Sequence, residues 1–182
     1  QKIIFRLLGF LTVLLSHKTI AVSQSVIKTL NAPSFLSRKI TCIYTGIETP
    51  RLLPKGEFFS RFSMEKKHGA HIVSIGELHT SKGFDRALIA LAHCKHLAWT
   101  YHIMGTGEKE TYLKNLAEKL GIQDRVIFHG FVQDASLYLD SFDLFLFPSR
   151  TEALGYVAIE ALFAHIPIVA SNAGGIPEVL FD

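Results

Sequence analysis

Residues 71–104 read HIVSIGELHTSKGFDRALIALAHCKHLAWTYHIM. His71–Ile75 is a short apolar run and suits a strand. Lys82–His93 places Phe84, Leu88 and Leu91 on one side of a helix, and Trp99–Met104 is a second apolar run. The same rhythm continues to the end of the chain. A helix is expected over Glu108–Leu120, ended by Gly121, then a strand over Arg125–Phe128 and a short helix near Ala135–Leu139. A strand at Asp143–Phe147, a helix over Gly155–His165, a strand at Ile168–Ala170 and a helix from about Ile176 complete the series. Alternating β and α elements with continuously apolar strands predict the α/β class: a parallel sheet with helices on both faces. Such sheets take their ligands beyond the carboxyl ends of the strands.

Upstream the pattern is thinner. Thr19–Val22 is β-prone, Ser23 can cap a helix reaching about Leu30, and Asn31, Pro33 and Ser34 make a break. Lys39–Tyr44 reads as another strand. From Thr45 to Lys67 the chain carries Gly46, Pro50, Pro54 and Gly56 among charges, which is linker composition. The expectation is one body over residues 1–50, a linker over 51–69 and a second body over 70–182. Residues 3–15 (IIFRLLGFLTVLL) are apolar but broken by Arg6 and closed by His17 and Lys18. A membrane span needs roughly 20 apolar residues, so a buried helix is expected, with a helix lying on a membrane surface as the alternative.

Composition narrows the classes. The chain has 182 residues, 48% hydrophobic and 19% charged, which fits a packed core and excludes a disordered polymer. The net charge of +3 comes without a long run of one sign, so no nucleic-acid partner is expected. Two cysteines, Cys42 and Cys94, exclude a disulfide scaffold and a multi-cysteine zinc site; a reducing, cytoplasmic setting is the default. The chain starts on Gln1 and stops soon after a helix begins, so a piece of a longer protein is expected.

The chemistry concentrates in residues 148–178, PSRTEALGYVAIEALFAHIPIVASNAGGIPE. Gly155 opens a helix just beyond a strand end, where unpaired backbone N–H groups favour an anion. Glu160 is the single acid among apolar residues from Gly155 to His165, a helix expected to be buried. A buried carboxylate needs partners; adjacent sugar hydroxyls are one answer, and escape to solvent or a buried Arg is the other. Glu152 either complements the helix start or meets a ligand's sugar. Lys82, after the candidate cap Ser81, opposes the helix dipole unless an anion is bound. Gly105-Thr106-Gly107 lacks the full G-x-G-x-x-G spacing, and Gly174-Gly175 is a plain turn or a second polar nest.

These residues resemble a known family. EALGYVAIE is similar to the E-x7-E motif of retaining GT-B glycosyltransferases of family 4, the "glycosyl transferases group 1" domain. SIGELHTSKGFDRALIALA, MGTGEKETYLKNLAEKLGIQDRVIFHGFV, DLFLFPSRTEALG and IPIVASNAGGIPEV agree with it over about Ile72–Leu180. Residues 19–47 resemble the last strands of the family's N-terminal acceptor domain. The resemblance implies two Rossmann-like bodies, the second truncating at the chain end and the first only partly present, with a nucleotide diphosphate sugar held between them. By motif position, Glu152 contacts the donor sugar and Lys82 the diphosphate, and these are the catalytic candidates. Amides of Leu154, Gly155, Tyr156 and Val157 hold the phosphates, Glu160 takes the ribose, Gly76 lines the donor site, and Gly130, Phe131 and Val132 border the base. The family transfers sugar with retention, usually without a metal, so no cofactor is implied. The acceptor is a glycan, lipid or small molecule. The setting is cytoplasmic, with peripheral contact at the inner membrane face left open.

Two departures stand out. Members usually carry Arg after the strand glycine, whereas here Gly76 is followed by Glu77 and Leu78, leaving Arg150 as the substitute cation. The acceptor-side glycine-rich loop and histidine lie upstream of Gln1, so this chain alone is not expected to turn over. The alternatives are a nucleotide-sugar-binding module without turnover, or a sugar-nucleotide epimerase. The base, sugar and acceptor stay open. His93, Cys94 and His96 make an incomplete metal set. His79, in the Lys82 loop, reads as a surface residue or a phosphate contact, His129 as packing or a neighbour of the base, and the 14 phenylalanines as core.

Overall fold

The computed structural model describes residues 2–66 and 68–180, with side chains from Leu7 onward. In chain order the elements are α1 (Lys2–Leu15), β1 (Thr19–Ala21), α2 (Gln24–Leu30), α3 (Ser34–Ser37), β2 (Ile40–Cys42), α4 (Glu57–Arg61), β3 (Ala70–Ile75) and α5 (Phe84–His93). There follow β4 (Trp99–Met104), α6 (Glu110–Lys119), β5 (Val126–Gly130), β6 (Leu144–Phe147), α7 (Tyr156–Phe163), β7 (Ile168–Ala170) and α8 (Ile176–Leu180). Two compact units result. One combines the residues up to Ile47 with Glu152–Gly155 and the segment from Asn172; the other is Glu48–Thr151 with Tyr156–Ser171.

In the smaller unit, β1 and β2 pair in parallel with Thr19 opposite Ile40. Ser23 caps α2 as expected: its Oγ accepts the Val26 N–H at 3.2 Å. The same hydroxyl donates to the Ala153 carbonyl at 2.5 Å. Glu178 of α8 answers the rest of that helix start. Its carboxylate accepts the N–H groups of Gln24 and Ser25 at 2.8 and 2.7 Å and the Tyr44 hydroxyl at 2.9 Å. Of α1, Val13 is buried while Leu7, Leu8, Leu14 and Leu15 are exposed, so the helix expected to be buried leaves part of its apolar surface exposed. Among the described residues no helix is long and apolar enough to cross a membrane.

Partial burial pushes the Glu178 carboxyl up, but the two amides, the Tyr44 hydroxyl and Lys28 outweigh it and hold it below the usual carboxylate range. A carboxyl depressed on folding stabilises the protein above its unfolded pKa of about 4.3 and loses that effect as pH falls through the folded value. Glu178→Ala should therefore cost about 1 kcal/mol near neutrality, the scale of a lost cap discounted for solvent screening. Urea titrations should show the two proteins converging below about pH 4. A gap that persisted in acid would show that packing, not the carboxylate, is at work.

The larger unit carries a five-stranded parallel sheet in the order β5-β4-β3-β6-β7. Alternate residues divide its two faces. Ile72, Trp99, Tyr101, Ile103 and Val126 pack against Leu88 and Leu91 of α5 and Leu113 and Ala117 of α6. The opposite face meets α4, whose Phe58 and Phe59 are buried. This helix falls in the stretch expected to lack regular structure. Its signal was two adjacent phenylalanines rather than a period, and burial against the sheet orders it.

Two helices also differ from expectation. Thr80–Lys82 is a single 3-10 turn, and α5 begins only at Phe84. The cap of that turn is His79, whose Nδ1 accepts the Ser81 N–H; Gly83, at φ +69°, then redirects the chain. In α7 only Ala158 and Ala161 are buried, and Tyr156, Leu162 and Phe163 are exposed. An apolar sequence did not make this a helix buried all round, because it packs along one narrow small-residue face.

Candidate functional site

The larger unit places its chemistry at the point where the sheet changes direction. The chain lays down β3, β4 and β5 outward on one side, then returns to the other side of β3 for β6 and β7. The loops leaving β3 and β6 lie side by side there, the place where sheets of this kind bind ligands. Residues 76–83 form the first loop; residues 148–151 begin the second.

These loops are strapped together. The Arg150 N–H donates to the Ser81 carbonyl at 2.7 Å. The Arg150 guanidinium grips Asp85 with both arms, at 2.7 and 2.5 Å, and Nη1 also donates to the Thr80 carbonyl at 2.9 Å. The guanidinium holds the Asp85 carboxyl below its usual range despite partial burial. The fork of Arg150 is thus engaged by the protein itself. Its visible work is to fix the loop that carries Lys82. The stem of Lys82 runs beside Gly76: a Cβ built on Gly76 would lie 3.9 Å from the Lys82 Cγ, Cδ and Cε.

Gly76 also lines a cavity of about 500 Å³ at the carboxyl ends of β3 and β4, with Glu77, Met104, Gly105–Gly107, Phe131 and Val132 on its walls. That size suits a small organic ligand. Phe131 is 78% exposed beside it, whereas Val132 is buried. Gly130, just before them, accepts the Gly105 N–H at 2.7 Å. Gly105 is demanded by a close backbone approach: a Cβ there would sit 1.9 Å from the Gly76 carbonyl oxygen. The Gly105-Thr106-Gly107 loop therefore has a packing reason for its glycines.

Glu160 lies half-buried on α7. Burial raises its carboxyl pKa, and a hydrogen bond with the Ser136 hydroxyl partly offsets this. Ser136 follows Ala135, which lines the same cavity. Ser136 was not legible from sequence: a serine 24 positions upstream carries no pattern linking it to this acid. Tyr156 and Val157 form the first turn of α7, where amides lack partners within the helix.

The structure thus brings Gly76 together with Lys82, places Gly76, Phe131 and Val132 on one cavity, and reaches Glu160 through Ser136. Glu152, Leu154 and Gly155 belong to the smaller unit. There the Glu152 carbonyl accepts the Gly175 N–H at 3.0 Å, and Leu154 and Gly155 are buried. A Cβ on Gly174 would lie 1.9 Å from the Glu152 carbonyl oxygen, which accounts for the second glycine pair. Among the described residues no cluster of His, Cys, Asp and Glu is placed to hold a metal.

Residues 57–182 match the family model described as glycosyl transferases group 1. The chain belongs to that family. It is 36% identical over 171 residues to an uncharacterized glycosyltransferase of Haemophilus influenzae, covering 92% of this chain and 45% of the relative. It is 30% identical over 156 residues to the lipopolysaccharide core biosynthesis mannosyltransferase LpcC of Rhizobium leguminosarum, covering 81% of this chain and 44% of the relative. The α/β fold, of GT-B type, is shared with Anabaena Alr3699/HepE, solved with UDP and glucose, at a TM-score of 0.85 and 22% identity, over 100% of this chain and 52% of that one. The group 1 chain described here spans about half the length of these relatives.

Proposed function

We propose that this chain is the donor-binding part of a glycosyltransferase that takes a sugar from a nucleotide diphosphate sugar with retention of configuration, in the manner of family 4. The observation that carries the reading is the approach of Lys82 to Gly76 beside the cavity at the carboxyl ends of β3 and β4, with Glu160 linked to that region through Ser136. Lys82 supplies positive charge to the diphosphate, joined by the opening amides of α7. The backbone from Gly130 to Val132 borders the base, and Glu160 accepts the ribose hydroxyls. Glu152, by its place in the E-x7-E motif, is assigned to the donor sugar. Leu154 and Gly155 supply the amides preceding α7. As the sugar departs, negative charge grows on the diphosphate, and fixed donors stabilise that change more than the ground state. The reading needs no metal, and it assigns Arg150 to fixing the Lys82 loop. The acceptor is a glycan, a lipid or a small molecule.

The ribose assignment is tested by calorimetry with UDP, GDP and ADP and their nucleosides. Glu160→Ala should weaken the preferred nucleotide and its nucleoside alike, by about 10- to 100-fold, the range of a lost hydrogen bond to a charged group. Equal affinities in a folded variant would remove Glu160 from the site.

A further inference from the structure

Beneath α4, three histidines from adjacent strands form a hydrogen-bonded chain. His71 Nδ1 lies 2.9 Å from His102 Nε2, and His102 Nδ1 lies 2.9 Å from His129 Nε2. His71 and His102 are 1% and 0% exposed. A neutral imidazole has one N–H and one acceptor nitrogen. The central ring uses both nitrogens, so the neutral chain runs head to tail, each link donating in the same sense. Phenylalanine rings enclose it: Phe58 lies 5.0 Å from His129 and Phe59 4.8 Å from His71, both nearly perpendicular. A second proton added anywhere makes a buried cation among hydrocarbon rings, which is unfavourable.

We propose that the His71–His102–His129 chain is a proton-sensitive latch that holds α4 and the end of β5 in place at neutral pH and releases them in acid. His129 directly precedes Gly130, so the latch also fixes the Gly130–Val132 wall of the cavity, whatever that cavity binds. Charged groups among the described residues lie close to it. Glu65 shares a 190 Å³ cavity with His71 and His102. Asp143 accepts the His71 backbone N–H at 2.7 Å and pairs with Lys66 at 3.7 Å. Lys66 also lies 5.6 Å over the Phe59 ring. Tyr138, from the segment after β5, meets Phe58 edge-on. Burial pushes the His129 ring down to about 4. An unfolded histidine titrates near 6.5. The folded chain therefore binds fewer protons between these values, so this stabilisation is complete above about pH 6.5 and is lost as pH falls toward 4.

Imidazole ¹⁵N NMR on the intact protein, with hydrogen exchange from pH 8 to 4, tests the latch. The His129 ring should stay neutral, in one tautomer, to below about pH 5.5. As it takes up a proton, exchange in residues 57–66 and 128–132, corrected for its intrinsic pH dependence, should quicken by about 10-fold or more while α5 stays protected. A His129 ring that titrates near 6.5 without local opening, or that stays neutral until the whole unit unfolds, overturns the proposal. A second variant removes the titration while leaving a polar side chain: His129→Gln should flatten the pH dependence of exchange in 57–66. A folded variant with the wild-type pH dependence also overturns it.

Discussion

Phe58→Ala is expected to lower the unfolding free energy of the larger unit by about 3–5 kcal/mol, the range for emptying a fully buried aromatic site. Phe58 is 0% exposed. Its ring centroid lies 4.6 Å from that of Phe62, 5.0 Å from those of His129 and Phe142, and 5.6 Å from that of Tyr138. Truncation leaves a cavity that these neighbours cannot close together, because His129 is tied to His102 and Phe142 stands at the entry to β6. Phe58→Leu keeps most of the volume and should cost a smaller fraction. Urea unfolding of the three proteins checks this. A loss below about 1 kcal/mol for the alanine variant would mean that α4 is only loosely held, well short of the usual cost of such a truncation.

That helix also marks where sequence reading stops. Strands such as His71–Ile75 and Trp99–Met104 announce themselves, because a central parallel strand is mostly apolar, and each of these is followed by a glycine. α6 is equally legible from its period and its Gly121 terminator. α4 is five residues long among prolines, glycines and charges. No period fits in one and a half turns, and only its tertiary partners order it. The start of α5 failed for a different reason. Ser81 is a good cap by residue type, but His79 captures its N–H first and Gly83 turns left-handed before the helix begins.

The site divides along the same line. The glycine and acid spacings near the chain's end are local and could be read. The Arg150–Asp85 fork joins residues 65 apart, and the Glu160–Ser136 contact joins α7 to the segment after β5. Pairings of that kind leave no mark in a single sequence. The three histidines look unrelated in sequence for the same reason: β3, β4 and β5 bring them together only once the sheet is formed.

Lys82→Ala separates charge recognition from the rest of donor binding. Lys82 sits on a loop fixed by the Arg150–Asp85 fork and by the Arg150 N–H on the Ser81 carbonyl, so its removal should not disturb the backbone. A charge-assisted hydrogen bond is worth about 1.5–3 kcal/mol, so affinity for the preferred nucleoside diphosphate should fall by about 10- to 150-fold. Affinity for the matching nucleoside, which has no phosphate, should stay within a factor of about two. The result should also depend on salt: the wild-type advantage should shrink as ionic strength rises, since a screened cation attracts the diphosphate less. This pattern differs from the one expected for Glu160→Ala, which weakens nucleoside and diphosphate together. If Lys82→Ala lowered both equally, Lys82 would be shaping the pocket rather than meeting phosphate. If it lowered neither, the diphosphate would be held by amides alone, and the charge that stabilises the departing group would have to come from another residue.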